Sequence, residues 1–424
     1  MRTLHLFRAQ GLAAFLLALA AACWGGGASS LADQIHRIIS RPEYRHSTFG
    51  VEVYSLDDSR VLYSLHGEKL FTPGSTTKLL TEGTALQLFG DDFRFHTRVY
   101  RTGPIAPDGT LQGDLVLVAS GDPNLSGRIQ SDGTLLFENE DHSYAGSPDT
   151  RAVPGDPLLV IKELASQVAA KGIKKIQGHV LVDATLFPEG DRELGTDIVI
   201  SPASVNDNIV DVTATPGASQ GAAATLHVSP VTSYVNFIDS IQTGAPGSKL
   251  DVQISSDNAN PDGSHTVTLA GSMPAGSPQI LYAYGVPQPS RYAAVTFAET
   301  LRQNGVQANW AAPDFRPDFQ SLAKSYVIEN QLAEHVSPPF SEEVKVTLKV
   351  SQNLHASMTP FLLGAILGKK TTEIDQGGYD LERGFLTKAG LDLAGASQSD
   401  GAGGAPAAFY TPDFMVHYLS LMHI

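Results

Sequence analysis

Phe71-Thr72-Pro73-Gly74-Ser75-Thr76-Thr77-Lys78-Leu79-Leu80 decides how the rest of this 424-residue chain is read. Pro73-Gly74 closes a connection, Ser75 is a good helix N-cap, and Leu79, Leu80, Ala85, Leu86 and Leu88 make an apolar stripe that ends at Gly90. A serine in a first helical turn shares a face with the residue three positions on, so Lys78 comes within reach of the Ser75 hydroxyl. An amine so placed can act as a base, and Ser75 reads as an activated nucleophile. The tetrad is weak by itself: about one Ser-x-x-Lys is expected by chance in such a chain. A second one does occur, at Ser321-Leu-Ala-Lys324, but without a strand pair before it or a long apolar helix after it.

Outward from Ser75, Phe49 to Tyr54 and Val61 to Leu65 are rich in β-branched and aromatic residues and flank the turn residues Asp57-Asp58-Ser59, which predicts a hairpin. A short amphipathic helix is predicted from Leu31 to about Ile39. From Phe93 to Tyr284 the texture is β-rich, with alternating segments such as Leu115 to Val118, His179 to Val182, Thr225 to Val228 and Thr266 to Leu269 between Gly, Pro, Asn and Asp. Helical stretches at Leu159 to Ala170 and Ala293 to Gln303 interrupt it. Helical patterns return from Phe340, including Glu342 to Val350, Leu362 to Leu367 and Phe414 to Leu421. Helix-rich sequence on both sides of a β-rich middle predicts one α/β domain split by a large insertion.

With 42% hydrophobic residues there is ample material for a core, and a formal charge of −15 disfavours a polyanionic partner, so nucleic acid is not expected. Arg2 and Arg8 precede the apolar run Leu12 to Ala22, and Ala20-Ala21-Ala22 is a small-residue cleavage site, which together resemble an export signal. That run of about eleven residues falls short of the ~20 that span a bilayer, and no later segment is long enough, so no transmembrane helix is expected. Cys23, the single cysteine, has two readings: the lipid-modified first residue of a lipoprotein, or an incidental neighbour of an ordinary cleavage site. Asn258, Asn260, Asp262 and Gly263 imitate part of a calcium loop, but Leu269 stands where the closing glutamate belongs, and a polar hairpin turn explains them better. The thirteen histidines are scattered and no zinc, Walker or GxSxG pattern occurs. Neither a metal nor another cofactor is inferred.

A lysine base needs a lowered pKa and a second hydroxyl that passes the proton to the leaving group. Ser-x-Asn can supply the hydroxyl, and three candidates exist: Ser204-Val-Asn206, Ser256-Asp-Asn258 and Ser351-Gln-Asn353. The second falls in the polar turn just described. Ser351-Gln-Asn353 sits between two helical segments, where a short loop can aim a hydroxyl and a carboxamide into a cleft, and it is preferred.

These segments resemble the serine D-alanyl-D-alanine carboxypeptidase/endopeptidases, the class C low-molecular-mass penicillin-binding proteins. Besides Phe71 to Leu80, the stretches Gly113 to Ser126 (with Gly-Asp-Pro-Asn-Leu-Ser at its end), Ile176 to Asp183, Ser204-Val-Asn-Asp-Asn208, and Ser337-Pro-Pro339 running into Lys349-Val-Ser-Gln-Asn353 recur in the family's order. The resemblance implies a penicillin-binding, serine DD-peptidase/β-lactamase-like catalytic domain. Residues 1–22 would be the signal peptide, 23–30 a linker, 31–92 and 325–424 the two parts of the catalytic domain, and 93–324 inserted β-rich domains. It implies hydrolysis of D-Ala-D-Ala in peptidoglycan stem peptides, or of their cross-links, at a periplasmic or other extracytoplasmic site, and β-lactams as covalent inhibitors. Ser75 would form the acyl-enzyme, Lys78 act as base, Ser351 relay the proton, Asn353 hold the substrate backbone, and the Ser75 amide form half of the oxyanion hole. Asp183 has two readings, contact with the substrate's amino group or solvation of a strand end, of which the second is preferred.

The family's third motif, Lys-Thr/Ser-Gly, is absent, and with it any assignment of substrate-binding residues. Lys388-Ala389-Gly390 is the nearest spelling but resembles a helix end before the family's Ser-Asp-Gly loop, here Ser399-Asp400-Gly401. The sequence stops inside the apolar pattern Phe414 to Ile424, so the expectation is a chain cut short at its C-terminus. An inactive, truncated homologue that only binds wall peptides is the alternative. A β-lactamase would share the acylation chemistry but gives no reason for such large insertions.

Overall fold

The computed structural model describes residues 29–144 and 147–421; the expected signal segment 1–22, Cys23 and most of the 23–30 linker lie outside the described residues. In chain order the principal helices are α1 (Leu31–Ile39), α2 (Thr77–Phe89), α3 (Leu159–Ala170), α4 (Pro289–Gln303), α5 (Phe340–Val350), α6 (Asn353–Leu362), α7 (Ile374–Lys388) and α8 (Pro412–Leu421). The principal strands are β1 (Val51–Ser55), β2 (Arg60–Leu65), β3 (His96–Arg101), β4 (Leu115–Val118), β5 (Val180–Asp183), β6 (Ile209–Thr215) and β7 (Thr225–Ser229). They continue with β8 (Val235–Gly244), β9 (Asp251–Ala259), β10 (His265–Pro274), β11 (Ile280–Gly285) and β12 (Gln331–Val336).

The chain forms two compact units. One holds, in its described part, residues 29–71 and 410–421. In it Ser30 and Asp33 close a capping box on α1, β1 and β2 make the expected antiparallel hairpin, and Phe71 pairs with Tyr410 just before α8. The side chains of Tyr54 on β1 and His417 on α8 meet edge to face at 5.3 Å.

The second unit, residues 72–409, carries everything else. A four-stranded sheet runs in the order β12-β3-β4-β5. β3 pairs antiparallel with both β12 and β4, whereas β4 and β5 are parallel, a pairing that requires a crossover, supplied by α3. Leu115, Val116, Leu117, Val180, Leu181 and Val182 are all buried, as expected of strands covered on both faces. Leu164 and Val168 of α3 and Phe297 and Leu301 of α4 pack into the same core. β12, which lies beyond the expected insertion of 93–324, thus shares a sheet with strands inside it, and Val336 is paired with His96. Two three-stranded sheets, β11-β6-β7 and β8-β10-β9, complete the β-rich region. The turn Asn260 to Ser264 connects β9 to β10, the polar hairpin expected in place of a calcium loop.

A helical layer of α2, α5, α6 and α7 surrounds a separate core that contains Ala85, Phe340, Val344, Leu354, Met358, Leu362 and Ile374. Aromatic rings tie its parts together: Phe340 at the head of α5 lies 5.2 Å from Phe89, 6.4 Å from Phe93 and 6.3 Å from Phe95. Backbone bonds reinforce them, with Phe340 N donating to Phe93 O and Ser337 N to Phe95 O. The Ser337-Pro-Pro339 motif is therefore the joint that seats α5 beside the end of α2. Because Phe340 is fully buried, Phe340→Ala is expected to cost about 3–5 kcal/mol, read as a lowered urea midpoint at unchanged slope.

Candidate active site

Gly74–Thr76 forms a 3₁₀ turn that runs into α2. Ser75 is not the N-cap that its position predicted. Its hydroxyl is turned to other partners, lying 3.1 Å from Lys78 Nζ and 2.8 Å from Ser351 Oγ. Lys78, one turn on, is 1% exposed. Its Nζ also donates to Asn353 Oδ1 at 2.6 Å and to the carbonyl of Ala402 at 2.9 Å. One acceptor from its own turn and two from distant stretches therefore satisfy the three donors of an ammonium. A neutral amine keeps the bonds to Asn353 and Ala402 and turns its lone pair to the Ser75 hydroxyl, which is the geometry of a base.

Burial pulls the Lys78 ammonium down from 10.5 to about 8, while the negative charges of Glu193 and Asp400, and least of all Glu82, resist the fall. Glu82, one further turn along α2, has Oε1 accepting from Thr359 Oγ1 at 3.0 Å. Burial, and then the neighbouring Glu343, push its carboxyl up to about 8, so at pH 7 it is largely protonated and adds little negative charge beside Lys78.

Each remaining part is fixed locally. Ser351 ends α5 in the left-handed conformation (φ 59°, ψ 42°), a strained position for a residue with a Cβ, and its N–H donates to Thr347 O. Tyr144 holds this bend from outside by donating to Val350 O at 2.7 Å. The Gln352 side chain then caps α6, accepting from Leu354 N at 3.1 Å. Since Asn353 Oδ1 takes the Lys78 bond, its amide nitrogen is the side available to a ligand carbonyl. Across from it runs the segment after Glu193, and a Cβ placed on Gly195 would stand 2.7 Å from Asn353 Nδ2. Glu193 shapes that segment by accepting from Gly195 N and Thr196 N. On the other side Asp400 gathers the amides of Gly403, Gly404 and Ala405, and this turn presents the Ala402 carbonyl to Lys78.

The four residues singled out from sequence, Ser75, Lys78, Ser351 and Asn353, thus stand together. The rejected candidates stand elsewhere. Ser204 Oγ is buried without a hydrogen-bond partner among the described residues, and Asn206 Nδ2 donates to Ile209 O. Ser256-Asp-Asn258 lies within β9, not in the turn where it was expected, because the turn begins only at Asn260. Ser321 lies in a short helical turn capped by Asp318, which accepts from Ser321 N and, at 2.6 Å, from Ser321 Oγ. Lys388-Ala389-Gly390 is the end of α7. Asp183, at the end of β5, accepts from Thr185 N and Oγ1 and from Tyr326 Oη, so its carboxylate closes a strand end. Among the described residues no group of three or more His, Cys, Asp or Glu side chains is placed to hold a metal ion. Sequence reasoning missed Glu193 and the Ala402 carbonyl. Asp400 stood in the quoted Ser-Asp-Gly loop, so a role near Lys78 was within reach, whereas a backbone carbonyl 324 positions from its donor leaves no local trace.

The chain resembles known proteins along most of its length. The model of the D-Ala-D-Ala carboxypeptidase 3 (S13) family matches residues 31–422. A D-alanyl-D-alanine carboxypeptidase from Actinomadura sp. (strain R39) is 28% identical over 416 residues, covering 93% of this chain and 68% of that one. The D-alanyl-D-alanine carboxypeptidase DacB of Haemophilus influenzae is 23% identical over 388 residues, covering 88% and 70% respectively. The crystal structure of penicillin binding protein 4 (dacB) from H. influenzae matches with a TM-score of 0.66 at 20% identity, over 88% of this chain and 75% of that chain. The same protein complexed with a novel beta-lactam gives 0.62, again at 20% identity, over 88% and 73%.

Gly403 tests how tightly the Ala402 carbonyl is held. It has φ +87°, and an added Cβ would stand 1.9 Å from the carbonyl oxygen of Gly74, next to Ser75. Gly403→Ala is expected to lower stability by about 1–3 kcal/mol in urea unfolding, through both the backbone conformation and the collision.

Proposed function

Because the chain belongs to the D-Ala-D-Ala carboxypeptidase 3 (S13) family, we propose that Ser75 is the nucleophile with which this serine-type carboxypeptidase opens the terminal D-Ala-D-Ala bond of peptidoglycan stem peptides. The observation that carries the assignment is the position of Ser75 Oγ, 3.1 Å from a buried amine and 2.8 Å from a second hydroxyl. Neutral Lys78 Nζ takes the Ser75 proton as Oγ bonds to the carbonyl carbon of the penultimate D-alanine. The carbonyl π electrons move to oxygen, where the backbone N–H of Ser75 is one donor. As the carbonyl re-forms, the C–N bond breaks. Ser351 passes the proton from Lys78 to the departing amine, so D-alanine leaves neutralised and an ester remains on Ser75. Water then attacks the ester carbonyl and gives its proton back along the same path, releasing the shortened peptide and free Ser75.

Asn353 orients the substrate backbone through its amide nitrogen while its oxygen keeps Lys78 in place. A β-lactam would acylate Ser75 by the same first step, its leaving nitrogen staying tethered, which makes such compounds covalent inhibitors. Cross-links between stems present the same D-alanyl carbonyl, so endopeptidase action belongs to the same reading. Arg2, Arg8 and the run Leu12 to Ala22 support export to the compartment that holds peptidoglycan, and Cys23 would offer an acyl anchor there.

A fluorescent penicillin should label the protein in a band that survives denaturation. Ser75→Ala should abolish that label at an unchanged melting temperature; undiminished labelling of the variant would sink the assignment. The acylation rate should rise with pH as Lys78 loses its proton, with a midpoint near 8. At pH 6 it should be lower than the alkaline plateau by about a hundredfold. Lys78→Arg, which stays protonated, should slow acylation by about 10²-fold or more.

A further inference from the structure

Behind the Ser351 loop lies a buried cluster of charges that the proposed reaction does not use. The Asp207 carboxylate is its centre. Oδ2 accepts from Arg128 Nη2 at 2.7 Å, His142 Nε2 at 3.0 Å and Gln352 Nε2 at 3.1 Å, and Oδ1 accepts from His355 Nε2 at 3.0 Å. A second ring of carboxylates balances the cations: Asp141 on Arg128 at 2.8 Å, Asp211 on His142 Nδ1 at 3.0 Å, and Glu343 on His355 Nδ1 at 2.8 Å. Arg128, Asp141, His142, Asp207, Gln352 and His355 are each no more than 1% exposed. Burial alone would drive His142 and His355 toward neutrality, but the carboxylates around them hold both up at about 10. Asp207 is kept well below the usual carboxylate range by Arg128 and His355 in spite of its burial.

The backbone that carries Asp207 is unusual. Asn206, Asp207 and Asn208 all have positive φ, at 50°, 55° and 57°. Left-handed residues are ordinarily isolated, and each costs on the order of 1 kcal/mol, so three in a row persist only where the surroundings compel them. Here the compulsion is visible. Asn206 Nδ2 donates to Ile209 O and Asn208 Nδ2 to Val199 O, which pins the turn from both sides and aims the Asp207 carboxylate at the Ser351 loop.

Two of the four donors on Asp207 belong to that loop and its helix. Gln352 is the residue between Ser351 and Asn353, and its Oε1 caps α6 while its Nε2 reaches Asp207. His355 lies in the first turn of α6. One carboxylate therefore holds the arch at its middle and at its far foot, and the strained left-handed Ser351 is the piece left to be set by them.

We propose that Asp207 is a positioning residue for the reaction, one that fixes, through Gln352 and His355, where the Ser351 hydroxyl and the Asn353 carboxamide stand relative to Ser75 and Lys78. This inference rests on the reading of Ser351 as the proton relay. It also accounts for the asparagines of the Ser204-Val-Asn-Asp-Asn208 segment, which shape a turn that places one carboxylate. A misplacement of about 1 Å in such a constellation costs on the order of 10²-fold in rate.

The test uses the whole protein, fluorescent penicillin and amide hydrogen exchange. Asp207→Asn should acylate about tenfold to a hundredfold more slowly than wild type, with the affinity before acylation little changed. Exchange should quicken in the peptide that spans 351–355. Should Asp207→Asn fail to fold, Gln352→Met removes the bridge together with the α6 cap, leaves Asp207 with its arginine and histidines, and should show the same slowing and the same exchange with a melting temperature lowered only by the loss of that cap. The double variant Asp207→Asn/Gln352→Glu exchanges donor and acceptor between the two positions and should recover acylation to within about threefold of wild type, a rescue that loss of general stability would not give. Folded Asp207→Asn and Gln352→Met proteins that acylate at the wild-type rate with wild-type exchange would overturn the inference. Absence of Ser75 labelling in the wild-type protein would instead overturn the proposed reaction, and the exchange measurement would then decide by itself whether Asp207 holds the loop.

Discussion

The burial of one amine governs the 72–409 unit. An ammonium taken out of water costs several kcal/mol unless its donors are met, and Lys78 meets its own only if residues 75, 353 and 402 arrive within about 3 Å of one atom. None of the three can be adjusted alone. The 3₁₀ turn before α2, the left-handed end of α5 and the Asp400-gathered turn are three backbone solutions to a single requirement. The helical layer must be packed well enough to hold them in register, and the Phe89, Phe93, Phe95 and Phe340 rings at the junction of α2 and α5 show where that rigidity originates.

The same burial prepares the chemistry. A lysine in water is protonated at neutral pH and useless as a base, and one buried among carboxylates would be locked as a cation. Lys78 lies between these limits. Desolvation lowers its proton affinity, Glu193 and Asp400 partly restore it, and Glu82 is itself largely neutral because it too is buried beside Glu343. The fold is that of the penicillin-binding DD-peptidases, and in this chain the balance of burial against nearby charge leaves a usable fraction of free amine.

Much of this was legible in the sequence, for identifiable reasons. The β1–β2 hairpin, α3 and the end of α2 at Gly90 follow from local propensity and turn residues, and they fall where expected. Ser351-Gln-Asn353 was separable from its two rivals because only it is flanked by helical pattern, whereas the letter-perfect Ser256-Asp-Asn258 sits in the polar strand β9. What stayed hidden depends on partners far along the chain. Asp207 looks like an ordinary turn aspartate until Arg128, His142, Gln352 and His355 converge on it. A serine just before a helix usually caps it, but the Ser75 hydroxyl is drawn to Lys78, which the local spacing announced, and to Ser351, 276 positions away, which it could not.

The pairing of Val336 with His96 bears on how such a chain can vary. The two residues face each other across an antiparallel ladder, so the chain leaves the helical layer and rejoins it at points only about 5 Å apart. Everything between them is, topologically, one closed loop whose mouth is already sealed by backbone hydrogen bonds. Lengthening a closed loop is cheap, about 0.6 kcal/mol for each doubling. The sheets beyond β5 can therefore gain or lose strands over evolutionary time while the spacing between Ser75 and Ser351 stays as it is, provided that Arg128, His142 and Asp207 keep their places. Size is a free variable in this architecture, and Asp207, which is held by Arg128 and His142 and reaches back from the loop to Gln352 and His355, is where that freedom stops.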